Sequence, residues 1–558
     1  MEILDRPAPD ALRTHDVTNQ PPPLVDYDAY AADAALQDAV GANDAAWANA
    51  TLHDVGRRAG SEAAIGWGFD ANRNSPVLKT FDRFGHRIDE VEYHPAYHWL
   101  VEAAKTYGLH ASSWKEPRPG AQVARAASFF LWSQVEAGHG CPISMTHAAI
   151  PALRMQPELA RQWEPLIFSY DYEPKLMPAD RKGNVLFGMA MTEKQGGSDV
   201  RANTTRATPA GAGGPGAEYT LIGHKWFCSA PMSDAFLVLA QAPGGLSCFL
   251  VPRFLPDGSR NVFMLQRLKD KLGNRSNASS ELELNGTTGW LIGEEGRGIA
   301  TIVEMVNFTR LDCIIGSASV MRQAVAQAVH HAQHRTVFGK LLVNQPLGRN
   351  VLADLTLESE AATLLFARLA RACDRSAAGD ANEGRIKRIG TAIGKYWVCK
   401  RAPAHVVEAL ECLGGNGYVE ESIMPRLFRE SPLNSIWEGC GNVNALDVLR
   451  AMSREPGIIE SYLAEVRAAK GADARYDAAL GIVQRELSDT DDIEFRARRL
   501  VEAMALLFQT ALVLQTSPPA IADAFCASRL GGDWGRAFGT LPSGLDINAI
   551  IERALPAS

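Results

Sequence analysis

No run of 18 residues is both apolar and uncharged, and the opening Met-Glu-Ile-Leu-Asp-Arg-Pro has neither a basic start nor an apolar core. A membrane span and a secretory leader are therefore not expected, and the cytoplasm is the default. The nine cysteines run from Cys141 to Cys526 without one C-x-x-C pair. That excludes a disulfide framework and a structural zinc knuckle. Positive charge is also short: 56 Lys and Arg face 64 Asp and Glu, a formal net of -8. The chain as a whole has no pull on nucleic acid or anionic membranes, so any such site must be a local patch. No Walker loop, Ser-His-Asp order or Rossmann glycine fingerprint in a strand-to-helix setting appears. His330, His331 and His334 have metal-like helical spacing but no evident third ligand, so no metal is expected.

What is present is length and patterning. At 558 residues, 46% of them hydrophobic, the chain exceeds one core, and several domains are expected. Residues 1–185 read as an N-terminal helical domain, with helical apolar spacing from Tyr93 to about Ala160. Residues 186–296 change to short apolar runs between Gly, Pro and Asp turns, a compact β domain with a Pro209–Ala217 hairpin tip. Residues 297–453 return to long helices, and Gly298 to Arg335 unbroken would span roughly 55 Å, as in an antiparallel bundle. Residues 454–558 read as an added helical domain, including Glu494–Thr516 and a helix capped by Ser517 ahead of Pro518.

Five segments could carry chemistry. In Asn434-Ser-Ile-Trp-Glu-Gly-Cys-Gly-Asn442 one carboxylate, Glu438, stands between an aromatic and a glycine, where it reads as a base or as a surface glutamate in a loop. Met191-Thr-Glu-Lys-Gln-Gly-Gly-Ser-Asp-Val200 joins two glycines to hydroxyls, a ligand-approaching loop or a structural turn. Tyr219 to Ser229 sets aromatics and a hydroxyl on one strand, to flank a flat cofactor or to pack a core. His334 to Gln345 ends the long helix with a cation, an aromatic and an amide, and Glu411-Cys-Leu-Gly-Gly-Asn-Gly-Tyr418 has more glycines than a C-cap needs.

In this order and spacing the segments resemble the acyl-CoA dehydrogenase family, and in particular its AidB branch, which is linked to the adaptive response to DNA alkylation. Asn19-Gln-Pro-Pro-Pro-Leu24, Leu272-Gly-Asn-Arg-Ser-Asn-Ala278 and the extra C-terminal segment extend the likeness over nearly the whole chain. The resemblance implies a multidomain α+β fold: helical domain, β-barrel-like domain, four-helix bundle and an additional helical domain. It implies FAD, a homotetramer, and α,β-dehydrogenation of an acyl-CoA with Glu438 as base and Arg310 beside it; Asp312 is the competing base. Met191, Thr192, Gly197, Ser198, Phe227, Cys228 and Ser229 are then placed at the flavin. Arg335, Phe338 and Gln345 are placed at its adenine and diphosphate end across a subunit interface. Gly414, Gly415, Trp437, Gly439 and Asn442 would close the site.

The sequence departs from that pattern in three places. Phe227 stands for a tryptophan, Cys440 for a threonine, and the approach Pro425 to Ser435 lacks the usual Arg-Asp start, which points to weak turnover. The branch implies double-stranded DNA as partner, through Arg450, Arg496, Arg498, Arg499 and Arg529, and an alkylating agent as the small-molecule target. Yet Ala451–Ser558 holds eleven Arg and Lys against fifteen Asp and Glu, and Arg496, Arg498 and Arg499 also read as a solvated helix face. The two expected functions are thus a DNA-associated flavoprotein protecting against alkylation, with weak dehydrogenase chemistry, and a genuine short or branched acyl-CoA dehydrogenase.

Overall fold

The computed structural model describes residues 14–556; the opening Met1–Pro7 lies outside them. A mainly helical N-terminal region includes α1 (Pro95–Thr106), α2 (Ala121–Ser133) and α3 (Gly140–Leu153). Every residue of α2 is buried, because α2 packs against two long helices of the C-terminal region as well as its own neighbours. Sequence spacing missed three earlier helices between Ala34 and Arg73 and the hairpin β1 (Val77–Phe81) and β2 (Arg87–Glu92). Those helices are rich in Ala and Gly, and β1 has no fully buried face, so neither period stands out.

The β region comprises β3 (Phe187–Ala190), β4 (Arg206–Pro209), β5 (Glu218–Ser229), β6 (Ala235–Ala242), β7 (Gly245–Pro252), β8 (Met264–Leu268) and β9 (Ser279–Ile292). Neighbours run β6-β4-β5-β9-β7, and β7 pairs back onto β6 through Ala235↔Pro252 to Ala242↔Gly245, which closes the sheet. β3 adds to β6 in parallel and β8 to β9. β6 is buried on both faces, as its unbroken Ala-Phe-Leu-Val-Leu-Ala run requires.

The bundle is α4 (Gly298–His334), α5 (Pro346–Ala377), α6 (Ala381–Glu411) and α7 (Gly441–Arg454). Between α4 and α5 lies the two-strand turn β10 (Thr336–Val337) and β11 (Lys340–Leu341). The C-terminal segment contributes α8 (Ile493–Thr516), which packs on α5, α6 and α7. Helical domain, closed β region, bundle and added helices are thus all present, as the fold expectation required. One local expectation fails. Ser517 caps no helix; its Oγ donates to Glu360 Oε1 of α5 at 2.6 Å, and the next helix starts at Pro519.

Candidate active site

Glu438 lies in the turn that leads into α7, with φ at +56°, a left-handed angle unusual for a residue with a side chain. Three groups hold it there. Arg310 of α4 donates from Nε to the Glu438 carbonyl at 3.0 Å. Lys395 of α6 donates from Nζ to the carbonyls on either side, Trp437 and Gly439, at 2.9 Å each. Asn444 donates from Nδ2 to the Gly439 carbonyl at 2.6 Å. Gly439 itself has φ +94°, and a Cβ there would come within 2.9 Å of Val443, so the turn needs glycine. Strain of this kind persists only where surroundings over-determine it.

The carboxylate has its own partner: Thr309 Oγ1 donates to Glu438 Oε2 at 2.7 Å. Burial pushes the Glu438 carboxyl above the usual carboxylate range, while Thr309, Arg310 and Lys395 pull the other way. Arg310 is fixed by Asp447 of α7 at 2.7 Å, and Asp447 is held in turn by Arg388 at 3.0 and 3.1 Å. The Glu438 backbone N–H makes no hydrogen bond among the described residues. Asp312, the competing base, is committed elsewhere: it is buried against the Arg125 guanidinium, which binds both its oxygens.

The approach to this turn is tied to the β region. Glu430 accepts the Asn274 N–H on both oxygens, at 2.8 and 2.9 Å. Gly273 lies so close that a Cβ would meet the Arg429 carbonyl at 2.3 Å.

The other segments form a broad half-open wall. Thr192 is half-buried against Gly197, and Ser198 is exposed. On β5, Phe227 is half-exposed, Cys228 is buried, and Ser229 Oγ lies 3.4 Å from Ser279 Oγ and beside the Cys141 thiol. Met191 is half-buried and its carbonyl accepts from Asn203. Asn19, also at positive φ, clamps the turn after α4: it exchanges hydrogen bonds with Thr336 at 2.8 and 2.7 Å and accepts Arg335 on its carbonyl. Gln20 binds Asn416 in the glycine turn at 3.1 Å, so Asn19-Gln-Pro-Pro-Pro-Leu24 straps two of the sequence motifs together. Gln345 closes the same turn on Val337. Phe338 is 95% exposed, and Gly414, Gly415 and Asn442 are exposed too. Trp437 Nε1 is bound by Asn434 at 2.8 Å, which fixes its ring beside Glu438.

An apolar ring face, free hydroxyls and open glycine backbone suit a flat, hydrogen-bonding cofactor, and Asn277 supplies a buried amide with neither atom paired. His330 and His334 hold no metal-like geometry; His330 Nε2 binds the Pro22 carbonyl, and His334 Nδ1 binds the His330 carbonyl.

The basic residues proposed from sequence divide sharply. Arg450 and Arg499 are exposed, at 53% and 80% of their side chains, and Arg498 is exposed beside Tyr396. Arg496 is tied to Glu486 and Asp489. Arg529 cannot face a ligand: its side chain is fully buried in ion pairs with Asp354 at 2.6 Å and Glu358 at 2.9 Å.

Known proteins give this geometry a setting. Residues 19–174 match the adaptive response protein AidB N-terminal domain, 188–287 the acyl-CoA dehydrogenase middle domain and 296–453 the acyl-CoA dehydrogenase C-terminal domain. The chain is 47% identical over 516 residues to the putative acyl-CoA dehydrogenase AidB of Escherichia coli (strain K12), covering 92% of this chain and 94% of that one. Among solved structures, Caenorhabditis elegans ACDH-11 in complex with C11-CoA superposes with a TM-score of 0.83 at 27% identity, over 93% of this chain and 94% of that one. An acyl-CoA dehydrogenase from Bacillus anthracis complexed with FAD shares the fold, with a TM-score of 0.61 at 20% identity, over 77% of this chain and 80% of that one.

Proposed function

Because the chain belongs to the acyl-CoA dehydrogenase family, in its AidB-type branch, we propose that it is an FAD-dependent oxidoreductase that removes the α-proton of an acyl thioester with Glu438. The observation that carries this reading is one partly buried carboxylate, held at a strained backbone angle, hydrogen-bonded by Thr309 and raised toward neutrality by its surroundings. Glu438 takes the proton, and its free N–H is a donor for the thioester oxygen as enolate charge develops. FAD, if bound, would supply the acceptor for the hydride that leaves the β-carbon. Ser229, Thr192 and the Phe227 ring would hold its flavin; Arg335, Phe338, Gln345 and the Gly414–Gly415 turn would meet its other end across a subunit interface. The exposure of Phe338, Leu347, Tyr418 and Ile436 supports a homotetramer that covers them.

The test is anaerobic addition of butyryl-CoA and isovaleryl-CoA to the purified yellow protein. Bleaching of the flavin is expected, slow if turnover is weak, and Glu438→Gln should keep its colour and lose the bleaching. A Glu438→Gln protein that still bleaches at the wild-type rate sinks the assignment.

A second reading is association with double-stranded DNA in protection against alkylation damage, in the cytoplasm. It is favoured by the AidB-type N-terminal domain and by Arg450, Arg498 and Arg499, exposed on the adjoining α7 and α8.

A further inference from the structure

We propose that the cavity between the β1–β2 hairpin, α1 and the Ala230–Ser233 turn binds a small aromatic carboxylic acid, at a site separate from that of the acyl thioester. The cavity measures about 520 Å³, within the usual range for small-molecule pockets. Its lining includes no residue of α4 or of the Glu438 turn. Its inner wall nevertheless adjoins the candidate active site, because Ala230 of the lining follows Ser229 directly in sequence.

The walls select a flat ring. Tyr93 and Tyr97 stack at 4.2 Å and 13°, and His98 meets both edge-on at 5.9 and 5.8 Å. His98 is held in turn by the Tyr172 hydroxyl at 2.9 Å. Such aromatic faces and edges match a planar guest. One lining residue also carries a buried hydroxyl with nothing to bind, Ser233 Oγ. A buried polar atom left unpaired is costly, and a ligand oxygen would satisfy it.

The charges specify the sign. Glu90 is taken by Arg260 at 2.5 Å, Glu92 by Lys79 at 3.3 Å, and Lys182 by Asp234 at 2.9 Å. Lys175, exposed on the rim, pairs with no carboxylate among the described residues. One cation is therefore unmatched. Ring, oxygens and one negative charge together describe an aromatic carboxylate.

The experiment is calorimetric titration of the full-length, FAD-loaded protein with 2-naphthoate as probe, beside its uncharged analogue 2-naphthamide. Saturable binding of naphthoate at one per chain is expected, with naphthamide weaker by about fivefold, the effect of one exposed ion pair. Lys175→Ala should erase that difference, and Met232→Trp, which fills the cavity, should weaken both by more than about tenfold. Saturating butyryl-CoA should leave naphthoate binding unchanged. Absence of saturable binding overturns the proposal, as does binding indifferent to both substitutions. Displacement of naphthoate by butyryl-CoA also overturns it, by placing the cavity on the thioester path.

Discussion

A glutamate that must lose its proton to work, in a place that favours keeping it, sets a testable pH dependence. Burial raises the Glu438 pKa, so the ionised base is lost as pH falls through a value above the usual carboxylate range. The rate of flavin reduction by acyl-CoA should therefore have an acid limb at unusually high pH. Thr309 hydrogen-bonds the ionised form, so Thr309→Ala should move that limb further up by about one pH unit. A limb that stays in place would mean that the 2.7 Å bond does not act on the ionised base. The Trp-Glu-Gly run and Thr309-Arg310 were legible in the sequence as local motifs. Lys395, Asp447 and Arg388 were not, because their role is to meet the Glu438 turn or its arginine from separate helices. Asp312 read as a rival only because its partner, Arg125, stands 187 residues away.

At the scale of elements, the joint between the β region and the Glu438 approach depends on one close contact and one carboxylate. Gly273→Ala would drive a Cβ to 2.3 Å from the Arg429 carbonyl, and both sides of that contact are backbone. We expect a loss of about 2–4 kcal/mol in unfolding experiments together with weaker FAD retention. Glu430 gives a pH signature. Burial, with Glu136 nearby, raises its pKa from 4.5 to about 7. The folded state thus holds the proton more tightly than the unfolded one; the resulting stability is complete below about pH 4.5 and is lost as pH rises through 7. Glu430→Gln, which retains an acceptor for Asn274, should remove up to about 3 kcal/mol of that pH-dependent decline, read as melting temperature across pH 5 to 8. The long helices and the strands of the β region were legible because each buries one face or both at a regular period. The Asn19–Leu24 strap was visible as a motif, but its work, joining the turn after α4 to the Gly414 turn, belongs to tertiary structure.

At the scale of the whole molecule, the C-terminal segment is part of the bundle. Arg529 satisfies Asp354 and Glu358, Arg553 satisfies Glu360 and Asp38, and α8 covers α5, α6 and α7. Removing everything after Met452 would leave the buried Asp354 and Glu360 without their arginines, so a truncated protein that fails to bind DNA would report on folding. The net charge of the segment could be counted from the sequence; which arginines point outward could not, since Arg529 and Arg499 differ only in what surrounds them. Point substitutions separate the two cases. If Arg450, Arg498 and Arg499 neutralise three phosphates, log K for a DNA duplex should fall with log salt at a slope of about -3, and replacing all three with Ala should flatten it while the melting temperature holds. Arg529→Ala should instead cost about 3 kcal/mol of stability by leaving the buried Asp354 carboxylate without its cation, while Glu358 keeps Arg401, visible as a lower melting temperature without DNA present. Equal loss of DNA affinity in both variants at full folding would contradict the division between an exposed arginine face and a buried structural one. A steep slope that survives the triple substitution would place DNA on another surface of the molecule.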